Sequence, residues 1–254
     1  MQLADSHCHL NLLDFKALGP LDAIMARARE RGVSHVLCVS IDMERFPKVL
    51  DIARTYEGVR CSVGVHPNAK GREPEARELV EEAQRPEVVA IGETGLDYYR
   101  GGGASQKERF RKHIAAAREV GKPLIVHTRQ AKEDTLQILK EERAFEVGGV
   151  MHCFTEDWAM AEAAMDMGFY ISFSGIVTFQ NAQALKEVAR KMPLERMLVE
   201  TDAPYLTPVP LRGKPNEPAN VFYVAEHIAS LKEMPLEEVA DQTTGNYLTL
   251  FKAG

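Results

Sequence analysis

Eight short β-rich segments alternate with amphipathic helical segments from one end of the 254-residue chain to the other. The predicted strands are residues 3–9, 34–41, 59–66, 88–93, 124–128, 149–154, 169–173 and 197–202. Strands that alternate with helices form parallel sheets in which each helix connects two strands. Eight such units in about 250 residues are typical of a TIM barrel. The sequence therefore predicts an α/β fold with one domain over residues 1–254, a single (β/α)₈ TIM barrel.

An open, doubly wound sheet is the alternative architecture. Such a sheet usually has fewer strands and often carries a glycine-rich nucleotide-binding loop with G-x-G-x-x-G spacing. The glycine run at residues 101–103 lacks that spacing. We therefore favour the barrel and expect a loop at this run.

Polar side chains fall at the ends of the predicted strands. Six histidine and carboxylate residues occupy these positions: His7, His9, Glu93, His127, His152 and Asp202. The carboxyl ends of barrel strands open on one face, where barrel enzymes have their active sites. His7 and His9 are two apart on one strand, so both side chains face the same way and suit chelation. Burying six polar groups together would be costly without a cation, so the sequence predicts a metal site at the C-terminal ends of the strands.

Glu93 on the fourth strand favours a site for two metal ions, because a carboxylate there can bridge them. Two ions about 3.5–4 Å apart bind the attacking and leaving oxygens together and lower the pKa of water. We therefore expect two divalent ions, Mg, Mn or Zn, and a metal-activated water; imidazole-rich sites suit Zn, Mn or Fe more than Mg. The predicted catalytic residues are Glu93 and Asp202, and Asp202 is also expected to accept a proton from the attacking water.

Three further residues are predicted to support the site. Arg129 shares parity with His127 and could hold a phosphate oxygen, with a surface salt bridge as the alternative. His66 ends the third predicted strand and could contact substrate, or it could serve only in packing. Glu200 shares parity with Asp202 and should lie one layer deeper, where it would orient a metal ligand or form a buried ion pair.

The charge balance restricts the class of partner. A formal net charge of −6 excludes a general nucleic-acid coat protein, which would be strongly basic. It permits an enzyme whose site is locally basic. Four cations on predicted strand-end loops could supply that charge: Arg100, Arg129, Arg212 and Lys214. Tyr98 and Tyr99, which follow the fourth strand, could stack a nucleobase.

The N-terminal segment has no basic start, and no apolar run approaches the roughly 20 residues of a membrane helix. We therefore expect a cytoplasmic protein with no membrane association and no obligate protein partner. The cysteines at positions 8, 38, 61 and 153 are expected to be free thiols. Cys8 and Cys153 each neighbour a histidine in a predicted strand, so their side chains should point to the opposite face.

Several sequence blocks resemble the signature motifs of the TatD family of metal-dependent deoxyribonucleases, within the amidohydrolase-like barrels. The blocks are DSHCHLN (5–11), GVHP (64–67), IGETGLDYY (91–99), PLIVHTR (123–129), MHCF (151–154), ISFSGIVTF (171–179), VETDAPYL (199–206) and RGKPNEPANV (212–221). The match extends over nearly the full chain. It is closest to a bacterial subgroup known as metal-dependent hydrolases.

The resemblance implies a TIM barrel, two divalent metals and, as in some members, 3′-to-5′ DNA exonuclease activity. By motif, one metal site would comprise His7, His9, Glu93 and Asp202. The other would comprise His127, His152 and the shared Glu93. Pro215 departs from the family, which often has arginine there, and proline brings no charge with which to contact a phosphate.

The leading prediction is phosphodiester hydrolysis by a DNA exonuclease, with single-stranded DNA or another phosphodiester as substrate. The alternative with the same metal chemistry is hydrolysis of small-molecule amides, esters or lactones, which the net charge of −6 keeps open. A non-catalytic metal-binding or interaction protein is the third possibility. The complete set of six predicted ligands argues against it.

Overall fold

A computed structural model describes residues 1–253, and within them eight parallel strands form one sheet in the order β1 to β8. The strands are Leu3–Cys8 (β1), Val33–Cys38 (β2), Val59–Val63 (β3), Val88–Asp97 (β4), Leu124–Arg129 (β5), Gly149–Met151 (β6), Phe169–Phe173 (β7) and Met197–Val199 (β8). Each strand pairs with its neighbours in sequence. The predicted (β/α)₈ TIM barrel is therefore confirmed.

Ten α-helices lie within the described part of the chain. They are Phe15–Leu18 (α1), Leu21–Glu30 (α2), Phe46–Thr55 (α3), Ala76–Ala83 (α4), Ala104–Val120 (α5), Lys132–Glu141 (α6), Trp158–Asp166 (α7), Gln183–Lys191 (α8), Val221–Lys232 (α9) and Leu236–Phe251 (α10). At least one helix connects each pair of consecutive strands, which is what parallel pairing of neighbours requires.

The barrel closes between β8 and β1 through backbone contacts at the carboxyl ends of these strands. His9 N donates to Ala203 O at 2.8 Å, and Asp202 N donates to His7 O at 2.9 Å. Cys8 and Ala203 form a parallel bridge beside them. The same contacts that close the sheet therefore bring three of the predicted ligands, His7, His9 and Asp202, next to one another.

Four strand ends differ from the prediction in ways that affect the site. β4 continues to Asp97, four residues beyond the predicted end. β3, β6 and β8 each end three residues early, so His66, His152 and Asp202 lie in the loops that follow and do not end strands as predicted. In these loops Cys153 and Asp202 adopt left-handed backbone conformations, with φ of 44° and 54°, so strand alternation does not continue through them. The other strand ends lie within three residues of their predicted positions.

The turn at Cys153 also corrects the direction expected for its side chain. Cys153 lines the same cavity as His152, because residues in a turn do not follow the alternation of a strand. Cys8 lies in the apolar layer between strands and helices, as strand alternation predicts. The four cysteines form no disulfide.

Apolar side chains fill one end of the barrel. Leu37, Val39 and Ile125 form a buried cluster with Tyr247 and Phe251 of α10, which covers that end. The polar residues consequently collect at the opposite end, where the carboxyl ends of the strands lie. Among residues 1–253, no helix is long and apolar enough to cross a membrane.

Candidate metal centre

The six predicted ligands meet at the carboxyl end of the barrel. His7 and His9 lie at the end of β1 and just beyond it, Glu93 and His127 lie within β4 and β5, and His152 and Asp202 follow β6 and β8. His7 Nε2 is 3.4 Å from His9 Nε2, and His9 Nε2 is 3.5 Å from Asp202 Oδ1. Residues from five strands therefore converge, as their positions in the sequence predicted.

Glu93 lies at the centre of this group. Its Oε1 is 2.9 Å from His152 Nε2 and 3.1 Å from His127 Nδ1. Its Oε2 is 3.3 Å from His7 Nε2 and 3.8 Å from His9 Nε2. The two carboxylate oxygens thus face the two groups of histidines separately, which is the arrangement that a bridging ligand requires.

The outward nitrogens of three of these histidines face hydrogen-bond acceptors. His9 Nδ1 is 3.0 Å from Val39 O, and His152 Nδ1 is 3.3 Å from Glu200 Oε1. His127 Nε2 is 3.4 Å from Asp97 Oδ2, a close polar contact whose direction is too poor for a full hydrogen bond. A neutral imidazole carries one N–H, so a proton held on the outward side leaves a lone pair on the inward nitrogen. Metal-binding histidines show this pattern.

The donor set fits divalent metal ions. When the outward nitrogens carry the protons, the lone pairs on His127 Nδ1 and His152 Nε2 face the ionised oxygen of Glu93, and a cation bound between them removes the repulsion. Three sets of donor atoms each lie within 4.8 Å of one another: His7, Glu93 and His152; His7, His9 and Asp202; and His66, Glu93 and His127. Geometry alone therefore includes His66 among the candidates.

Electrostatics favour positive charge at this point. Burial raises the pKa of Glu93, but His152 and His66 outweigh that effect and hold the pKa well below its ordinary value. Burial lowers the pKa of His152, yet Glu93 and Glu200 raise it well above its ordinary value. Burial also raises the pKa of Asp202, and neighbouring histidines bring it below the ordinary value. Both carboxylates are therefore ionised at neutral pH.

The structure places the supporting residues close to where the sequence predicted them. Glu200 is fully buried beneath the centre, beside His152. His66 follows β3, and its Nε2 is 3.4 Å from Glu93 Oε1. Burial lowers the pKa of His66 to about 4, so the ring is neutral at pH 7. Arg129 ends β5 and lines the cavity. Its guanidinium carbon lies 3.9 Å from the ring centroid of Tyr99.

Asp97 supports His127 and was missed by the sequence analysis. It is 1% exposed, and its Oδ2 accepts a hydrogen bond from Asn68 Nδ2 at 2.7 Å in addition to its contact with His127. Asp97 shares parity with Glu93 on β4. This signal was available in the sequence, but the predicted strand ended too early to include it.

Asn216 holds the loop that carries Asp202. Its Nδ2 donates to Thr201 O at 3.1 Å and to Tyr205 O at 2.5 Å, and the side chain is fully buried. The sequence signal for Asn216 was its place in the RGKPNEPANV block. That block therefore contributes to the position of Asp202, while Pro215 itself is exposed.

Above the centre lies a cavity of about 1010 Å³ with cations around it. Lys70, Arg100 and Arg129 line it and form no ion pair within residues 1–253, whereas Arg45 pairs with Asp42 at 2.5 Å. The other two cations predicted for this region do not line the cavity: Arg212 packs over Phe179, and Lys214 is exposed nearby.

Two exposed tyrosines lie in or beside the cavity wall. Tyr205 lines the cavity and is 54% exposed, and Tyr99, which is 59% exposed, packs against the cavity-lining Arg129. Tyr205 lies edge-on to His9, with ring centroids 6.1 Å apart. Tyr98, in contrast, is half-buried and donates its hydroxyl to Asp134, so it is not placed to stack a base.

The model of the TatD-related DNase family matches residues 4–252. The chain is 48% identical over 254 residues to the uncharacterized metal-dependent hydrolase YcfH of Escherichia coli, covering 99% of this chain and 96% of that protein. It is 33% identical over 252 residues to the 3′-5′ ssDNA/RNA exonuclease TatD of Salmonella typhimurium, covering 96% and 97%.

A solved structure with the same arrangement is that of YJJV, a TatD homologue from Escherichia coli. It superposes with a TM-score of 0.90 at 28% identity and covers 98% of each chain. The similarity in sequence and in fold therefore extends over the whole barrel, including every strand that contributes to the centre.

We predict that Glu93→Ala loses affinity for both ions, because both groups of histidines lose the carboxylate they share. The wild-type protein should bind about two divalent ions per chain, as two-metal sites do. Titration calorimetry with MnCl₂, followed by elemental analysis after desalting, measures both affinity and stoichiometry. Glu133→Ala, which removes a carboxylate that is 86% exposed on α6, is the control and should match the wild type. Two tightly bound ions in Glu93→Ala would contradict the bridging role.

Proposed function

The chain belongs to the TatD family of metal-dependent hydrolases, and from that premise we propose that it hydrolyses phosphodiester bonds in single-stranded nucleic acid, releasing nucleotides from the 3′ end. The direction of digestion is carried over from the Salmonella relative, whose name states a 3′-5′ exonuclease of single-stranded DNA and RNA. The substrate class has its own support in the residues around the cavity.

The observation that carries the proposal is a group of three cations, Lys70, Arg100 and Arg129, that line the cavity above the anionic centre. Lys70, Arg100 and Arg129 have no carboxylate partner in the described chain, although the protein as a whole has a net charge of −6. Unpaired cations at the entrance to a metal-binding site attract a phosphate backbone. A small neutral amide or lactone would gain nothing from them.

The exposed tyrosines fit the same substrate. Tyr99 follows β4 and Tyr205 follows β8, and these strands lie on opposite sides of an eight-stranded barrel. Successive bases of a single strand stack on exposed aromatic rings with little dependence on sequence. Arg129, which packs on Tyr99, can contact a phosphate next to a stacked base.

The residues of the centre would act in complementary ways on the scissile phosphate. Divalent ions held by His7, His9, Glu93, His127, His152 and Asp202 would supply Lewis acidity and a water of lowered pKa. Asp202 is ionised, its Oδ1 faces His7 and His9, and its side chain is 13% exposed to the cavity. Its other oxygen can therefore accept the proton of the attacking water. Glu200 holds the ring of His152 in place.

The first test is digestion of 3′- and 5′-labelled single-stranded oligonucleotides by metal-loaded protein, beside a panel of amides, esters and lactones. We expect metal-dependent shortening from the 3′ end. Tyr205→Ala should raise KM roughly tenfold, because stacking contributes about 1–3 kcal/mol per base. Phe145→Ala is the control: Phe145 is 50% exposed and contacts Arg143, but it lies before β6 at the opposite end of the barrel.

The proposed substrate class would be wrong if purified protein hydrolysed an amide, ester or lactone rapidly and left every oligonucleotide intact. Equal KM values for Tyr205→Ala and Phe145→Ala would show that Tyr205 does not bind the bases. The proposal of nuclease activity would be unaffected by that result.

A second prediction concerns the general base, the group that accepts a proton from the attacking water. Asp202→Asn keeps an oxygen ligand of similar shape and removes most of the basicity, so kcat should fall by about 10²-fold or more. Turnover is measured at saturating metal, and elemental analysis verifies that the variant holds its ions. A variant with normal metal content and nearly normal kcat would show that Asp202 serves only to bind metal.

A further inference from the structure

His66 points into the metal centre, but the outward nitrogen of its ring faces a hydrogen-bond donor, whereas those of His9, His127 and His152 face acceptors. Its Nε2 is 3.4 Å from Glu93 Oε1, as close as several of the predicted ligands are to one another. Its Nδ1, however, accepts a hydrogen bond from the backbone N–H of Asn68 at 3.0 Å. A backbone amide can only donate, so the direction of this bond is fixed.

This bond determines which nitrogen of His66 carries the proton. A neutral imidazole has one N–H and one lone pair. Because Nδ1 uses its lone pair to accept from Asn68, Nε2 carries the hydrogen and has no lone pair to offer a metal. His9, His127 and His152 show the reverse pattern, since their outward nitrogens face a carbonyl or a carboxylate.

We propose that His66 ligates no metal and instead donates its Nε2–H to an anionic oxygen of the scissile phosphodiester. The inference deepens the proposed function and rests on it for the identity of the substrate. Distance alone does not decide whether His66 is a metal ligand or a hydrogen-bond donor to substrate, because His66, Glu93 and His127 also form a geometrically acceptable metal triad. The direction of the hydrogen bond from Asn68 favours the donor role.

The loop after β3 keeps the ring in this orientation. Arg109 of α5 is 6% exposed and donates to His66 O at 2.6 Å and to Pro67 O at 3.1 Å. The side chain of Asn68 donates to Asp97 Oδ2 at 2.7 Å and accepts from Gln106 Nε2 at 3.2 Å. Turning the imidazole over would leave the Asn68 N–H facing a carbon, which costs a hydrogen bond in a closely packed turn.

His66 is also accessible to a substrate. Its side chain is 17% exposed to the cavity, like that of His127 at 18%, whereas His7 is 0% exposed and His152 is 3% exposed. It lines the same cavity as Lys70, Arg100 and Arg129, so a phosphate held in that cavity can meet Nε2–H next to the metal centre. A fixed donor at this point stabilises the charge that develops on a phosphoryl oxygen during hydrolysis.

Two substitutions of His66 separate the roles. His66→Leu removes the donor, and His66→Gln replaces it with an amide N–H that can reach a similar position. His127→Gln is the matched control at a predicted ligand. For the wild type and these three variants we would measure Mn²⁺ stoichiometry and affinity by calorimetry. We would also measure kcat/KM on a single-stranded oligonucleotide and the affinity of the Mn²⁺-loaded form for inorganic phosphate.

We expect both His66 variants to bind Mn²⁺ with wild-type stoichiometry and affinity, which also shows that they are folded, whereas His127→Gln should bind it at least tenfold more weakly. His66→Leu should lose about 10²-fold in kcat/KM and about tenfold in phosphate affinity. His66→Gln should recover most of both losses.

Loss of a Mn²⁺ equivalent in His66→Leu would overturn the proposal, because His66 would then be a ligand. Unchanged phosphate affinity in His66→Leu would overturn it as well, and so would a His66→Gln variant as impaired as His66→Leu. Phosphate binding also separates this inference from the proposed function. If the wild type cleaves no oligonucleotide while His66→Leu still weakens phosphate binding, the nuclease proposal fails and the donor role remains.

Discussion

The arrangement of histidines and carboxylates at the carboxyl end of the barrel depends on one buried carboxylate, that of Glu93. Glu93 is 3% exposed and has five imidazole nitrogens within 3.8 Å, those of His127, His152 and His66 beside Oε1 and those of His7 and His9 beside Oε2. A carboxylate that is ionised at such a depth must be paired with positive charge, because burial of an unpaired charge is too costly. The outward nitrogens of His9, His127 and His152 face oxygen acceptors, so their inward nitrogens can offer lone pairs to a cation that supplies this charge. The choice of donor atoms, their direction and their burial all follow from that requirement.

The fold satisfies the requirement through its backbone. The hydrogen bonds that close the barrel, from His9 N to Ala203 O and from Asp202 N to His7 O, also fix the separation of His7 and His9 from Asp202. The left-handed conformation of Asp202 turns its side chain out of strand alternation and into the cavity. Asn216 then holds the following loop in place through two backbone carbonyls. The positions of these candidate metal ligands are thus part of the closure of the sheet.

Much of this site follows from strand parity, and the remainder depends on contacts that parity does not describe. The common direction of His7 and His9 was predictable because alternation has a fixed period. Glu200 and Asp202 both follow the end of β8, so the position of Glu200 beside His152 depends on that loop and not on strand parity. The direction of Cys153 was not predictable either, because a left-handed turn interrupts the period of alternation. The tautomer of His66 depends on a loop held by Arg109 from a helix distant in sequence, and no local pattern shows such a contact.

The central claim is that Glu93 bridges two divalent cations while His66 stays free of both. Anomalous X-ray diffraction from crystals of the Mn²⁺-loaded protein, recorded at the manganese absorption edge, tests it most directly. The account predicts two peaks about 3.5–4 Å apart, as in two-metal sites, one on each side of the Glu93 carboxylate, with His66 Nε2 bound to neither. A single peak per chain, a pair of ions that do not share Glu93, or a peak ligated by His66 would contradict it.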